Sequence, residues 1–127
     1  MSILRLVAMT IVTSAVVCLF SSYSYAQSDY GSITGFAKDP SGAVVPNAKV
    51  TVKNEGTGEE RSSLTNESGY FVLPNLQPNY YTVTAEVSGF KKFVSSHNKL
   101  NPNSTLSIDT SLTIGSSTES VEVSASN

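Results

Sequence analysis

His97 is the only histidine in the 127-residue sequence, and histidine is the side chain whose ordinary titration falls near neutral pH. In a hydrolase it would serve as a general base or as a zinc ligand. A zinc centre takes three or four His, Cys or carboxylate ligands, and neither a second His nor a neighbouring Cys stands near it. Serine and aspartate are present, so a Ser-His-Asp set exists by count. The G-x-S-x-G turn that exposes a nucleophilic serine does not occur. Glu59 and Glu60 are adjacent, so on an extended strand their carboxylates point to opposite faces and cannot work as an acid/base pair.

Two other groups of residues invite chemistry. Lys49 and Lys53 lie near asparagines, the pairing used for intramolecular isopeptide bonds, which also need a buried acid beside them. Both lysines fall beside turns or on the polar face opposite Val50 and Val52, where solvation accounts for them. Phe36, Tyr70, Tyr80 and Phe93 would form a platform for a sugar ring or a protein partner. The sequence has no Trp, and aromatic residues are favoured in strands for packing alone. Asn66-Glu67-Ser68 and Asn103-Ser104-Thr105 match the glycosylation sequon, which has meaning only in a eukaryotic secretory pathway. The residues therefore predict no catalytic set, no cofactor and no metal.

The elements that would position these side chains begin after the leader. Arg5, an almost uncharged apolar run over residues 6–20 and the small-x-small pattern Ser24-Tyr25-Ala26 predict a secretory signal peptide over residues 1–26, cleaved before Gln27. A membrane anchor is the competing reading, but a span needs about 20 apolar residues, and this run weakens into SSYSYAQ. Cys18 follows Val17 rather than a small residue, so lipidation is the lesser alternative. Cleavage would remove the only cysteine and leave seven basic against ten acidic side chains. Stability must then come from a packed core without disulfides. A weakly acidic chain without charge blocks offers nothing to nucleic acid or to an anionic membrane surface.

Residues 27–127 suffice for one small domain, and their pattern has period two. Ile33, Gly35 and Ala37 share a face, Val50 and Val52 follow, and Phe71 and Leu73 come after Gly69. Tyr81, Val83, Ala85 and Val87 alternate with Tyr80, Thr82, Thr84 and Glu86. Leu106, Ile108, Thr110 and Leu112 repeat the pattern, and Val121, Val123 and Ala125 close it. Turn signals separate these runs: Asp39-Pro40-Ser41-Gly42, residues 54–58, residues 66–69, Gln77-Pro78-Asn79, Ser88-Gly89 and Asn101-Pro102-Asn103. Short strands at this spacing predict a two-sheet antiparallel β-sandwich of about seven strands, with no substantial helix after the leader. Its predicted core is Ile33, Val50, Val52, Leu64, Phe71, Leu73, Leu76, Tyr81, Val83, Ala85, Leu106, Ile108 and Leu112.

Read in order, G-x-x-x-D-P-S-G-A-V-V-P-N-A-x-V-T-V from Gly35, T-G-x-x-R from Thr57, T-N-x-x-G-x-F from Thr65 and L-x-P-x-x-Y-x-V from Leu76 form a series. It resembles the carboxypeptidase regulatory-like domain, in the form found at the N-terminus of TonB-dependent outer-membrane receptors. Residues 114–127 resemble the last strand and exit segment of that domain, after a core over 31–113. The resemblance implies a prealbumin-like sandwich without catalysis. It would be exported to the periplasm or outer membrane of a Gram-negative bacterium, where it would act as an interaction or spacer module on a cell-envelope protein. A carbohydrate-binding domain, with a glycan as partner, and a stalk or adhesin module are the alternatives.

Backbone geometry explains most of the motif. Gly42, Pro46, Gly58, Asn66, Gly69, Pro78, Asn79 and Gly89 are predicted to form turns, with Asn66 capping its own. Asn79 stands where the family has Gly, and Asn is the next best residue for a left-handed conformation. Phe36 is a large apolar group on the face opposite Ile33. Intact-mass measurement of the exported protein is expected to show a chain beginning at Gln27; a retained Met1 or a lipidated Cys18 would overturn the export reading.

Overall fold

The computed structural model describes residues 2–19, 28–116 and 118–124. The apolar N-terminal segment forms α1 (Ile3–Leu19), and no described helix is long and apolar enough to cross a membrane. The cleavage site predicted at Ser24-Tyr25-Ala26 lies outside the described residues.

Nine strands follow among the described residues: β1 (Gly31–Lys38), β2 (Lys49–Asn54), β3 (Glu60–Leu64), β4 (Tyr70–Leu76), β5 (Asn79–Glu86), β6 (Lys92–Leu100), β7 (Thr105–Ser107), β8 (Thr110–Ser111) and β9 (Ser120–Ser124). One sheet runs β4-β1-β7, with β8 also pairing with β1, and the other runs β3-β2-β5-β6-β9. The all-β sandwich is as expected, but the sheets are mixed. β7 and β8 lie parallel to β1, and β9 lies parallel to β6. A parallel neighbour must arrive by a crossover instead of a hairpin, and turn spacing along a sequence reveals only hairpins.

The alternation places the core. Ile33 and Ala37 from β1, Val50 and Val52 from β2, Phe71, Leu73 and Leu76 from β4, and Tyr81, Val83 and Ala85 from β5 are all buried between the sheets. Each large side chain of this kind contributes about 1.5 to 3 kcal/mol on full burial. Leu64 is a correction: it ends edge strand β3 opposite Lys49, on the outer face, and is 61% exposed. Leu106 and Ile108 are only partly buried against the core. Val45, Ala48, Phe93 and Leu100 join it from segments that the alternation did not mark.

Residues 92–100 escape pattern reading for a physical reason. Two inward positions of β6 are the polar Ser95 and Asn98, and a bulge between the Tyr81 and Val83 pairings shifts the phase. Asn98 repairs the ladder there, its Nδ2 donating to the carbonyls of Tyr81 and Ser95 at 3.0 and 2.8 Å.

The run from Leu106 to Leu112 is also not one strand. The chain swings off β1 after β7, and the Ile108 carbonyl passes over Gly35, where a Cβ would collide with it. The Asp109 carboxylate takes the place of the missing ladder acceptor, receiving the Phe36 N–H at 3.0 Å. Just beyond, Thr110 is buried with no partner for its hydroxyl among the described residues. This seam yields opposite expectations for two substitutions. Thr110→Val removes an unpaired buried hydroxyl at constant shape and should stabilise the domain by about 1 kcal/mol. Gly35→Ala should destabilise it by about 1–3 kcal/mol through overpacking against backbone. Thermal melts of both variants decide; equal signs would mean that the seam adjusts freely.

Candidate functional site

The corners of the motif are held by their own side chains. Asp39 Oδ1 receives the Ser41 N–H, the Ser41 hydroxyl and the Ala43 N–H at 2.9, 2.6 and 3.0 Å. These bonds, the Ser41 hydroxyl foremost, hold its carboxyl below the usual range. Gly42 sits at φ 85° with open space around it. The DPSG hinge is a corner closed on itself.

Thr65, which opens the T-N-x-x-G series, is buried and acts as a tie. Its hydroxyl donates to the Val45 carbonyl and receives the Ala48 N–H, both at 2.8 Å. Asn66 Oδ1 receives the N–H groups of Ser68 and Tyr70, and Gly69 at φ 71° packs against the Ala37 carbonyl. Gly58 and Gly89 are left-handed at φ 77° and 86°. Pro46 precedes a left-handed Asn47 at φ 57°, and Pro78 bends the chain between β4 and β5. Asn79 is a correction: it is not left-handed, because it already pairs with Leu100 as the first residue of β5. The left-handed asparagine nearby is Asn75, inside β4 where its pairing with β1 shifts register, at φ 57°.

The four aromatic residues do not form one platform. Phe93 is 5% exposed and belongs to the core, because its place in β6 puts it beside Ala85 on the inward face. Phe36 and Tyr70 are cross-strand partners of β1 and β4, with ring centroids 5.1 Å apart and tilted by 53°. They stand on the outer face of the smaller sheet, where Lys38 Nζ lies 5.7 Å from the Phe36 ring centre. Tyr80 lies on the outer face of the other sheet and stacks on His97, with centroids 4.1 Å apart and planes 12° apart.

His97 is not part of a catalytic or metal cluster among the described residues. Its side chain is exposed, and it occupies the bulge inside β6, left-handed at φ 62°, not the end of a strand. The bulge turns its N–H out of the ladder toward Glu55, whose Oε1 accepts it at 2.7 Å while Oε2 lies 3.2 Å from Nδ1. Thr82 donates to the same carboxylate at 2.9 Å. The His97 backbone bond first, then Thr82, hold the Glu55 carboxyl below its ordinary range. Sequence reasoning missed Glu55, whose partner stands 42 residues away. Among the described residues no group of three or more His, Cys, Asp or Glu side chains is placed to hold a metal ion.

At the edge of the sandwich, Arg61 of β3 crosses to the other sheet. Its Nη1 donates to the carbonyls of Pro74 and Asn75 at 3.4 and 3.3 Å, and its Nε faces Glu59 at 3.4 Å. Lys53 pairs loosely with Glu60 at 4.0 Å on the outer face.

A group whose folded pKa is lowered adds stability above its ordinary pKa and loses it as pH falls through the folded value. Glu55→Gln should therefore lower the melting temperature at neutral pH, at a cost of about 1 kcal/mol for a solvent-screened charged hydrogen bond. The gap from the parent should close below the carboxylate range. A gap that is constant with pH would show that the Glu55 charge contributes nothing.

The carboxypeptidase regulatory-like domain model matches residues 32–113, and no curated protein sequence matches the chain. Among solved structures, the Bacillus anthracis TIE protein superposes with a TM-score of 0.58 at 19% identity, over 68% of this chain and 17% of that one. Catechol 1,2-dioxygenase from Acinetobacter sp. ADP1 gives 0.56 at 13%, over 82% and 60%. A candidate carbohydrate-binding protein from Bacteroides uniformis gives 0.54 at 18%, over 68% and 42%. The chain spans less than two thirds of the length of each, and at these identities the likeness is one of fold. The family match runs through β1 to β8 and takes in the corners, the Thr65 tie and the Gly69 contact, and the chain belongs to the carboxypeptidase regulatory-like domain family.

Proposed function

We propose that the chain is an exported, non-catalytic β-sandwich module that docks on a protein of the Gram-negative cell envelope, in the manner of the N-terminal periplasmic extension of a TonB-dependent receptor. The observation that carries this reading is the contrast between the two outer faces. On the larger sheet, Lys49, Lys53, Glu60, Glu86, Lys92 and Lys99 spread charge among hydroxyl residues, the exposed Leu64 at its edge and the Tyr80–His97 stack. On the smaller sheet, Ser32, Thr34 and Phe36 of β1 stand beside Tyr70 and Val72 of β4 and Thr105 and Ser107 of β7. Lys38 is the one charged residue of β1 on that side.

Phe36 and Val72 are 38% and 44% exposed there. Interface centres are depleted of charge and enriched in Tyr and Phe, which suits this face for a protein partner. The family supports a non-catalytic role, and the likeness to a dioxygenase is one of fold alone.

A photo-crosslinking residue at Phe36 of the exported protein is expected to yield one discrete adduct with an envelope protein, and one at Thr84 on the opposite sheet none. Purified protein is expected to show no peptidase, esterase or glycosidase turnover. Equal crosslinking from both faces, none from Phe36, or measurable turnover would overturn the reading.

A further inference from the structure

The two sheets part where edge strands β3 and β4 face one another, leaving a cleft of about 390 Å³, within the size range of small-ligand sites. Its floor is polar. Asn54 and Tyr81, each 3% exposed, meet there through Asn54 Nδ2 and the Tyr81 hydroxyl at 3.3 Å, and that hydroxyl donates to the Gln77 carbonyl at 2.8 Å. Burial raises the Tyr81 pKa, so the phenol keeps its proton. Asn75 and Gln77 stand on one wall, the Glu59–Arg61 pair on another, and Tyr30, 48% exposed, at the rim.

We propose that this cleft binds the end of a neutral oligosaccharide. Charge argues first: Glu59 and Arg61 compensate one another at 3.4 Å, so an anion brought to Arg61 meets Glu59, and a cation brought to Glu59 meets Arg61. The ligand that suits both is an uncharged one rich in donors and acceptors. Hydrogen-bond capacity argues second. Arg61 Nη2, Glu59 Oε2 and the side-chain amides of Asn75 and Gln77 have no hydrogen-bond partner among the described residues. Guanidinium, carboxylate and amide groups are planar and offer paired positions that match the vicinal hydroxyls of a pyranose. The exposed Tyr30 ring offers an apolar surface for the C–H face of the sugar. A cleft open to water binds such a ligand weakly, with dissociation constants in the millimolar range.

The site lies away from the Phe36–Tyr70 face, so its test and the crosslinking test fail independently. Amide NMR of the exported protein, titrated with maltotetraose, cellotetraose and chitotetraose and with tetragalacturonate as the anionic counterpart, reads it directly. At least one neutral probe is expected to shift the amides of Asn54, Gly56, Asn75 and Gln77 saturably, and tetragalacturonate is expected to bind more weakly. Asn75→Gly removes the amide at a position whose left-handed backbone suits glycine, and Gln77→Ala leaves the carbonyl used by Tyr81. Each is expected to weaken binding about five- to tenfold, the loss of roughly one hydrogen bond, with the melting temperature close to that of the parent. No saturable shift with any neutral probe, tighter binding of tetragalacturonate, shifts centred on Phe36 and Tyr70, or unchanged binding in both variants would overturn the proposal.

Discussion

A backbone N–H or C=O shut away from water needs a partner, and leaving one unmade costs about as much as losing a good hydrophobic contact. This sandwich breaks its ladders wherever a strand bulges or turns a corner between sheets, so its stability depends on side chains that replace the lost partners. Asp109 does so for Phe36, where the chain leaves β1 between β7 and β8. Asn98 does so for Tyr81 at the β6 bulge, and Thr65 for Val45 and Ala48 at the corner before β2. Thr65 and Asn98 are buried, and Asp109 makes its tie from the exposed side of the seam.

Close packing follows from the same ties. Once Asp109 holds the crossing segment against β1, the Ile108 carbonyl lies where the Cβ of any other residue at position 35 would be. Once Thr65 and Asn66 hold the corner, Gly69 sits against the Ala37 carbonyl with its own carbonyl receiving the Ala37 N–H. The core of Ile33, Phe71, Val83 and their neighbours supplies the hydrophobic stabilisation. The ties decide which strands may stand side by side, and hence which faces remain outside.

How much of this was legible follows from how local each cause is. The alternation in β5 was plain because Tyr81, Val83 and Ala85 face inward and Thr82, Thr84 and Glu86 do not. Turn residues were plain because Gly42, Gly58, Gly69 and Gly89 supply positive φ. β6 was not, since Ser95 and Asn98 interrupt its inward face with polar groups whose partners are distant or lie within the bulge. Leu64 looked like core because it is apolar, yet it ends an edge strand with no second sheet over it. Phe93 looked like a surface aromatic and is core. Of the candidate site, Tyr80, His97, Phe36 and Tyr70 were named from sequence, but nothing local linked Tyr80 to His97 or Glu55 to either.

The sequence by itself determined the strand class, the corners, most of the core and the family, because period-two burial and left-handed glycines are properties of a few consecutive residues. Tertiary structure alone decided that β7, β8 and β9 run parallel to their neighbours, that His97 bulges outward onto Tyr80, and that Glu59, Arg61, Asn75 and Tyr81 border one cleft. These depend on which strands meet across the sandwich, and such pairings bring together residues whose separation along the chain carries no periodic signal.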